Sequence, residues 1–223
     1  ALGCALSLSG APRLAGTILV PHAVLTGYAV MMLGVALVGF ARLHARAREP
    51  VERRPRSDPL PHLAVLIPIY DESPARVFAG LEAMRASIAK TALADRCDIF
   101  VLSDSRDPDN WATEEILAAR AAETDGPQIF YRHRTENAGR KVGNLRDFYA
   151  RWSHRYPYVA VLDADSLISG ETLAQLLQRM EARPELGILQ VPARPALGRT
   201  LFARVLQFAG DVYGGPLIEG FRA

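Results

Sequence analysis

The sequence predicts an α/β domain with a mainly parallel sheet and helices on both faces, preceded by a transmembrane helix. Three observations carry that expectation. From residue 62 onward, short apolar runs alternate with segments of helical periodicity. The connections between runs are long enough for the crossovers that parallel strands require. Ahead of them stands the 19-residue run AVLTGYAVMMLGVALVGFA, residues 23–41, free of charge.

Residues 1–48 contain no Asp or Glu, and from Leu14 to Ala41 there is no Lys or Arg either. The run approaches the ~20 apolar residues that a membrane-spanning helix needs. Arg42, Arg46, Arg48, Arg53, Arg54 and Arg56 follow it at once, the positive flank expected on the cytoplasmic side of a bilayer. A signal peptide would carry its charges ahead of the apolar stretch; a buried core helix is the competing reading. Ala1–Ser9 is compatible with the end of an earlier span, and Pro21 and His22 with the outer interface. EPVERRPRSDPLP (49–61), with four prolines and mixed charge, reads as a linker. The expected organisation is a membrane segment with its basic flank over 1–48, the linker over 49–61, and the first part of the α/β domain over 62–223.

Within that domain LAVLIPIY (63–70) is a short apolar run of the buried-strand type. PARVFAGLEAMRASIAK (74–90) opens on Pro74 and puts Val77, Leu81, Met84 and Ile88 on one helical face. CDIFVLSD (97–104) is the second strand, NWATEEILAARAAE (110–123) the second helix, and QIFYRH (128–133) the third strand. KVGNLRDFYARWSH (141–154) is helical, and YVAVLDAD (158–165) is the fourth strand. ETLAQLLQRMEA (171–182) places Leu173, Leu176, Leu177 and Met180 at helical spacing, and GILQVP (187–192) is expected as a fifth strand.

Composition excludes several classes. Hydrophobic residues make up 49% of the 223 and charged residues 22%, which is not the profile of a disordered chain. A net charge of +2 is too small to point to nucleic acid. Cys4 and Cys97 are too far apart in sequence and setting to imply a disulfide framework or a thiolate metal site. The chain lacks an initiator Met, as expected of a segment from a longer protein. Of 26 basic side chains only Lys90 and Lys141 are lysines.

In parallel α/β sheets ligands bind beyond the carboxyl ends of the strands. The first predicted strand ends in Tyr70, Asp71 and Glu72, the second in Asp104 and Asp107, and the fourth in Asp163 and Asp165. The third leads to RHRTENAGRKVGN, with Arg132, Arg134, Arg140 and Lys141 beside two glycines. Like-charged carboxylates at the spacing of Asp163 and Asp165 repel, so either a cation sits between them or each has its own partner. In an extended segment residues i and i+2 point the same way, which lets both converge on one Mg²⁺ or Mn²⁺ that shares its sphere with substrate phosphates. The bland alternative is a turn or helix cap, with Ser169 and Glu171 at hand for capping. Lys141, between Gly139 and Gly143, offers a compact charge suited to phosphate, and its glycines permit close backbone approach to a ligand. The alternative there is an exposed loop with a helix start at Val142. The combination points to a nucleoside-diphosphate site, although the run is neither a Walker A sequence nor a dinucleotide fingerprint.

PIYDE, LSDS, RKVGN and LDADS, in that order and spacing, resemble the processive glycosyltransferases of family two, which have a GT-A (Rossmann-like) fold and include cellulose and hyaluronan synthases. RVFAGL, FVLSDSRDPD, IFYR, VLDADSLISGETL and LFARVLQFAGDVYGGPL resemble most closely the branch of membrane glucosyltransferases that build osmoregulated periplasmic glucans. The resemblance covers about residues 62–218. It implies that Tyr70, Asp71, Glu72, Asp104, Lys141 and Asp163 bind the nucleotide, with Asp71 or Glu72 near the uracil and Lys141 at the nucleotide or diphosphate. It implies that Asp163 and Asp165 serve the metal. The catalytic base of the family lies in a later T-E-D-like motif and the acceptor motif is Q-x-x-R-W; both are expected beyond Ala223, so the GT-A domain is expected to be incomplete here.

The resulting expectation is an inverting, metal-dependent transfer of glucose from UDP-glucose to a growing β-glucan, with Mg²⁺ or Mn²⁺ as cofactor. The enzyme would sit in the bacterial inner membrane, multi-pass when complete, with its catalytic domain cytoplasmic. A cellulose-like synthase is the nearest rival. A metal phosphohydrolase and a non-catalytic nucleotide-sensing membrane module are rivals of other classes.

Overall fold

A computed structural model describes residues 11–46, 59–191 and 199–221. The chain divides into two compact units, one of residues 54–189 and one that pairs the N-terminal helix with the C-terminal helix.

The N-terminal helix, α1 (Ala11–Arg46), runs through Pro21. At 1.5 Å per residue its 36 residues extend about 54 Å. Within it Leu19–Ala45 is long and apolar enough to cross a bilayer, and only 6% of its most apolar window is covered by protein. That exposure disfavours the buried-core reading. The C-terminal helix, α6 (Leu201–Phe221), packs on α1 through glycines. A Cβ on Gly39 would stand 1.6 Å from the Pro216 carbonyl oxygen, and one on Gly220 would stand 2.0 Å from that of Val35. Small residues allow such close helix contact.

The other unit is built around four parallel strands, β1 (Leu63–Ile69), β2 (Cys97–Ser103), β3 (Ile129–His133) and β4 (Tyr158–Val161). Their order in the sheet is β3-β2-β1-β4. The crossovers are α2 (Pro74–Ile88), α3 (Pro108–Ala122) and α4 (Arg140–Trp152), the last extended by a 3₁₀ turn; α5 (Gly170–Glu181) follows β4. Strand side chains alternate between two cores, as the pleat dictates. Leu63, Val65, Ile67, Ile69, Ile99 and Val101 join the helical faces of α2, α3 and α5, including Val77, Leu81, Met84, Ile88, Leu173 and Leu177. Ala64, Leu66, Phe100 and Leu102 face Phe148 of α4. There the Phe100 ring packs edge-on against Phe148 at 4.8 Å and Tyr156 at 5.5 Å.

Two expectations need correction. The 187–192 segment forms no strand over 187–191, Pro192 lying outside the described residues, and Ile188 is 87% exposed. An apolar run becomes a strand only where a neighbour offers a ladder, and this one pairs with none among the described residues. The fourth strand stops at Val161, so Asp163 and Asp165 lie in the following turn. The predicted segment 1–9 and most of the linker lie outside the described residues.

The strand order places the sheet's switch point between β1 and β4. The chain steps outward from β1 to β2 and β3, then returns to the other side of β1. A crevice opens there, beyond the carboxyl ends of the strands.

Candidate nucleotide and metal site

A cleft of about 920 Å³ occupies that crevice. Tyr70 and Glu72 after β1, Asp104 after β2, Lys141 on α4, and Asp163 and Asp165 after β4 all line it. Of the expected site residues only Asp71 is outside the lining.

Asp71 has a different task. Its backbone turns through the left-handed region, at φ 56°. Its N–H donates to Ser105 Oγ at 2.9 Å, and its carboxylate accepts from the N–H groups of Arg106 and Asp107, each at 3.0 Å. The ends of β1 and β2 are thereby tied together. Beneath them lies fully buried Glu114. It accepts from Ser103 Oγ at 2.6 Å, Ser105 Oγ at 2.7 Å and the Tyr131 hydroxyl at 3.0 Å. Burial first, and then the Glu114 charge, push the Tyr131 hydroxyl well above its ordinary range. His133 contacts the Ser105 carbonyl at 2.8 Å and stacks on Trp111 at 5.3 Å.

Asp104 is buried and already paired. Arg134 donates to both its oxygens, at 2.7 and 2.8 Å, the fork geometry that suits guanidinium to carboxylate. The same guanidinium reaches the carbonyls of Ala138 and Arg140 at 3.4 and 3.3 Å, which draws the loop before α4 over the end of β2. Asn144 anchors α4 from below: its amide donates to the Leu102 carbonyl at 3.0 Å, and Arg132 donates to its oxygens and, at 2.6 Å, to Asp147.

The glycines of GRKVG serve the protein's own backbone. Gly139 caps α4 at φ 71°, and a Cβ on Gly143 would stand 1.8 Å from the Ala138 carbonyl oxygen. Close approach is needed here, and the group approached is the Ala138 carbonyl. This tight start aims Lys141, in the first turn of α4, across the cleft to the Asp163 carboxylate. Asp165 faces Arg76 in the first turn of α2 at 3.9 Å. The two carboxylates thus have one cation each.

Arg140, read from the sequence as one of the basic groups at this rim, lines the cleft, whereas Arg76, Arg106 and Asn137 were missed. Arg76 stood hidden among the apolar positions of a helix, and Asn137 in a loop whose path was not yet known. The first turns of α2 and α4 put Arg76, Arg140 and Lys141 where helix dipoles are already positive. That side of the cleft favours an anion. The side after β4 carries two carboxylates and favours a cation.

The sequence pattern of glycosyl transferase family 2 matches residues 64–219. The chain belongs to this glycosyltransferase family. It is 40% identical over 213 residues to glucans biosynthesis glucosyltransferase H of Caulobacter vibrioides, covering 94% of this chain and 32% of that one. For the protein of the same name from Xanthomonas oryzae the identity is 39%, over 94% of this chain and 33% of the relative. For that of Bradyrhizobium diazoefficiens it is 43%, over 84% and 26%. The chain therefore spans about a third or less of these curated relatives. Among solved structures it resembles a mannosyltransferase from Pyrobaculum calidifontis in complex with GDP-Man and Mn²⁺. The TM-score is 0.54 at 20% identity, over 78% of this chain and 47% of the other. That likeness shows a GT-A-like fold, present here as part of a domain.

Proposed function

We propose that this chain carries the donor half of an inverting membrane glucosyltransferase that moves glucose from UDP-glucose to a growing β-glucan. The observation that carries the reading is the division of the cleft. Lys141, with two helix N-termini behind it, stands on one wall, and Asp163 and Asp165 stand on the other. A nucleoside diphosphate with its cation matches both walls. The relatives' names supply glucose and glucan.

Asp163 and Asp165 would hold the divalent cation. Two carboxylates fit Mg²⁺ or Mn²⁺, which complete their sphere with phosphate oxygens and water. No cluster of three or more His, Cys, Asp or Glu ligands occurs among the described residues, so the diphosphate itself would supply the missing donors. When bound, the ion neutralises charge on the departing diphosphate. Lys141 takes the diphosphate, Tyr70 and Glu72 stand at the nucleoside end, and Asp104 forms the floor with Arg134. Asp71 holds the β1 and β2 ends in register for the nucleotide. The apolar span of α1 anchors the enzyme in the bacterial inner membrane, and the basic flank after it keeps the domain cytoplasmic.

The test is product analysis of the full-length protein in membranes offered several UDP-sugars. Incorporation of glucose into an alkali-stable β-glucan, dependent on Mg²⁺ or Mn²⁺, is the expected result. Release of inorganic phosphate without polymer, or UDP binding without transfer, would overturn it.

A further inference from the structure

Both carboxylates proposed to hold the cation face a cationic side chain of the protein itself. Lys141 lies on Asp163, and Arg76 faces Asp165. Lys141 was legible as a phosphate ligand; Arg76 was assigned nothing. Yet the two share two features. Each occupies the first turn of a helix, α4 and α2, and each lines the same cleft. A cation in a first turn adds to the positive end of the helix dipole, and the two together attract an anion.

Resting on the donor-site reading above, we propose that Arg76 is a second diphosphate ligand. Arg76 faces Asp165 at 3.9 Å, and Lys141 donates to Asp163. Both pairs are largely exposed, with side-chain exposures of 73% and 68% for Arg76 and Asp165 and of 48% and 68% for Lys141 and Asp163. Exposed pairs are weak and exchange readily. The incoming cation takes the two carboxylates, and the incoming diphosphate takes the two released side chains. Charges are exchanged and none is left unpaired. The cation and the diphosphate consequently bind together, and either alone meets groups that already face an opposite charge.

Calorimetric titration of the full chain in detergent tests this with three probes: Mn²⁺ alone, UDP with Mn²⁺, and uridine. Arg76→Met is expected to weaken UDP with Mn²⁺ about tenfold, the loss of one charged hydrogen-bond donor. It should leave uridine unchanged. It should also tighten Mn²⁺ alone by about threefold, because Asp165 loses the cation that faces it. Arg106→Met removes a cleft cation that makes no ion pair among the described residues and should not tighten Mn²⁺. Unchanged UDP affinity in Arg76→Met, equal losses for UDP and uridine, or equal tightening of Mn²⁺ in Arg106→Met would each overturn the proposal. If the parent chain binds UDP and Lys141→Ala weakens it while Arg76→Met does not, only the role of Arg76 falls. If the parent chain binds no nucleoside diphosphate, the donor-site reading falls with it.

Discussion

Lys141 is one of two lysines in an arginine-rich chain, and it alone of the two lines the cleft. A hydrogen bond to a charged group is worth roughly 1.5–3 kcal/mol. Lys141→Ala should therefore lose between about tenfold and a hundredfold in UDP affinity and almost nothing for uridine. Lys90→Ala should change neither ligand. Equal losses for both ligands would mean that Lys141 shapes the loop and does not hold phosphate. Glu114 is the opposite kind of residue, fully buried and invisible to solvent. Its carboxylate satisfies three hydroxyls at once. Glu114→Ala strands them, at about 1–3 kcal/mol for each that finds no water. The expected outcome is a fall in unfolding free energy of about 3 kcal/mol or more, read from denaturant titration in detergent. A loss below about 1 kcal/mol would show that the network is dispensable.

At the scale of elements, the site depends on how α4 begins. Arg134 pulls the preceding loop over Asp104, Gly139 turns it, and Gly143 lets it lie against the first helical turn. Overpacking of this kind costs typically 1–3 kcal/mol. Gly143→Ala should destabilise the nucleotide-free chain by about that much and weaken UDP in the same step. Weaker UDP binding with an unchanged thermal midpoint would return Gly143 to the role of a ligand-approach glycine. The body of α4 is pinned to the sheet by its own Phe148, packed with Leu66 and Phe100, and by the Asn144–Leu102 bond, which leaves its first turn to face the cleft.

For the molecule as a whole, two measurements reach beyond the site. The Cys97 thiol, inside the sheet core, is pushed up to about 12 from an ordinary 9.0, by burial first and then by the charge of Asp98. A group raised on folding contributes stability that is complete below its unfolded value and lost as pH rises through its folded one. Stability should accordingly decline above about pH 9, and Cys97→Val should flatten part of that decline. In a chain carrying Cys4→Ser, a thiol reagent at pH 8 should label Cys97 only on unfolding; rapid labelling of the native protein would contradict the burial. The second measurement is topological. Under the proposed topology the arginines after residue 41 mark the cytoplasmic flank, so a reporter fused after Pro61 should read cytoplasmic, and a periplasmic signal would reverse the orientation.

Local pattern was enough for most of the elements, the 187–192 run excepted. Continuous apolar runs, helical stripes such as Val77, Leu81, Met84 and Ile88, and Pro74 at a helix start depend on near neighbours in the chain, and these elements stand within a few residues of where they were expected. Parallel pairing followed from connection lengths, and the acidic strand ends followed from the rule that ligands gather at carboxyl ends. What local pattern could not carry was pairing between groups far apart in sequence. Asp71 spends its charge on backbone N–H groups 35 and 36 residues away, and Asp104 on Arg134, 30 residues away. For Asp163 and Asp165 the sequence left two options open, one cation between them or a separate partner for each, and could not name the partners. The strand ended first, and the turn that replaced it sent each carboxylate to its own cation. Whether a charge is free for a ligand depends on which opposite charge the fold brings within reach, and that distance exists only once the sheet has closed.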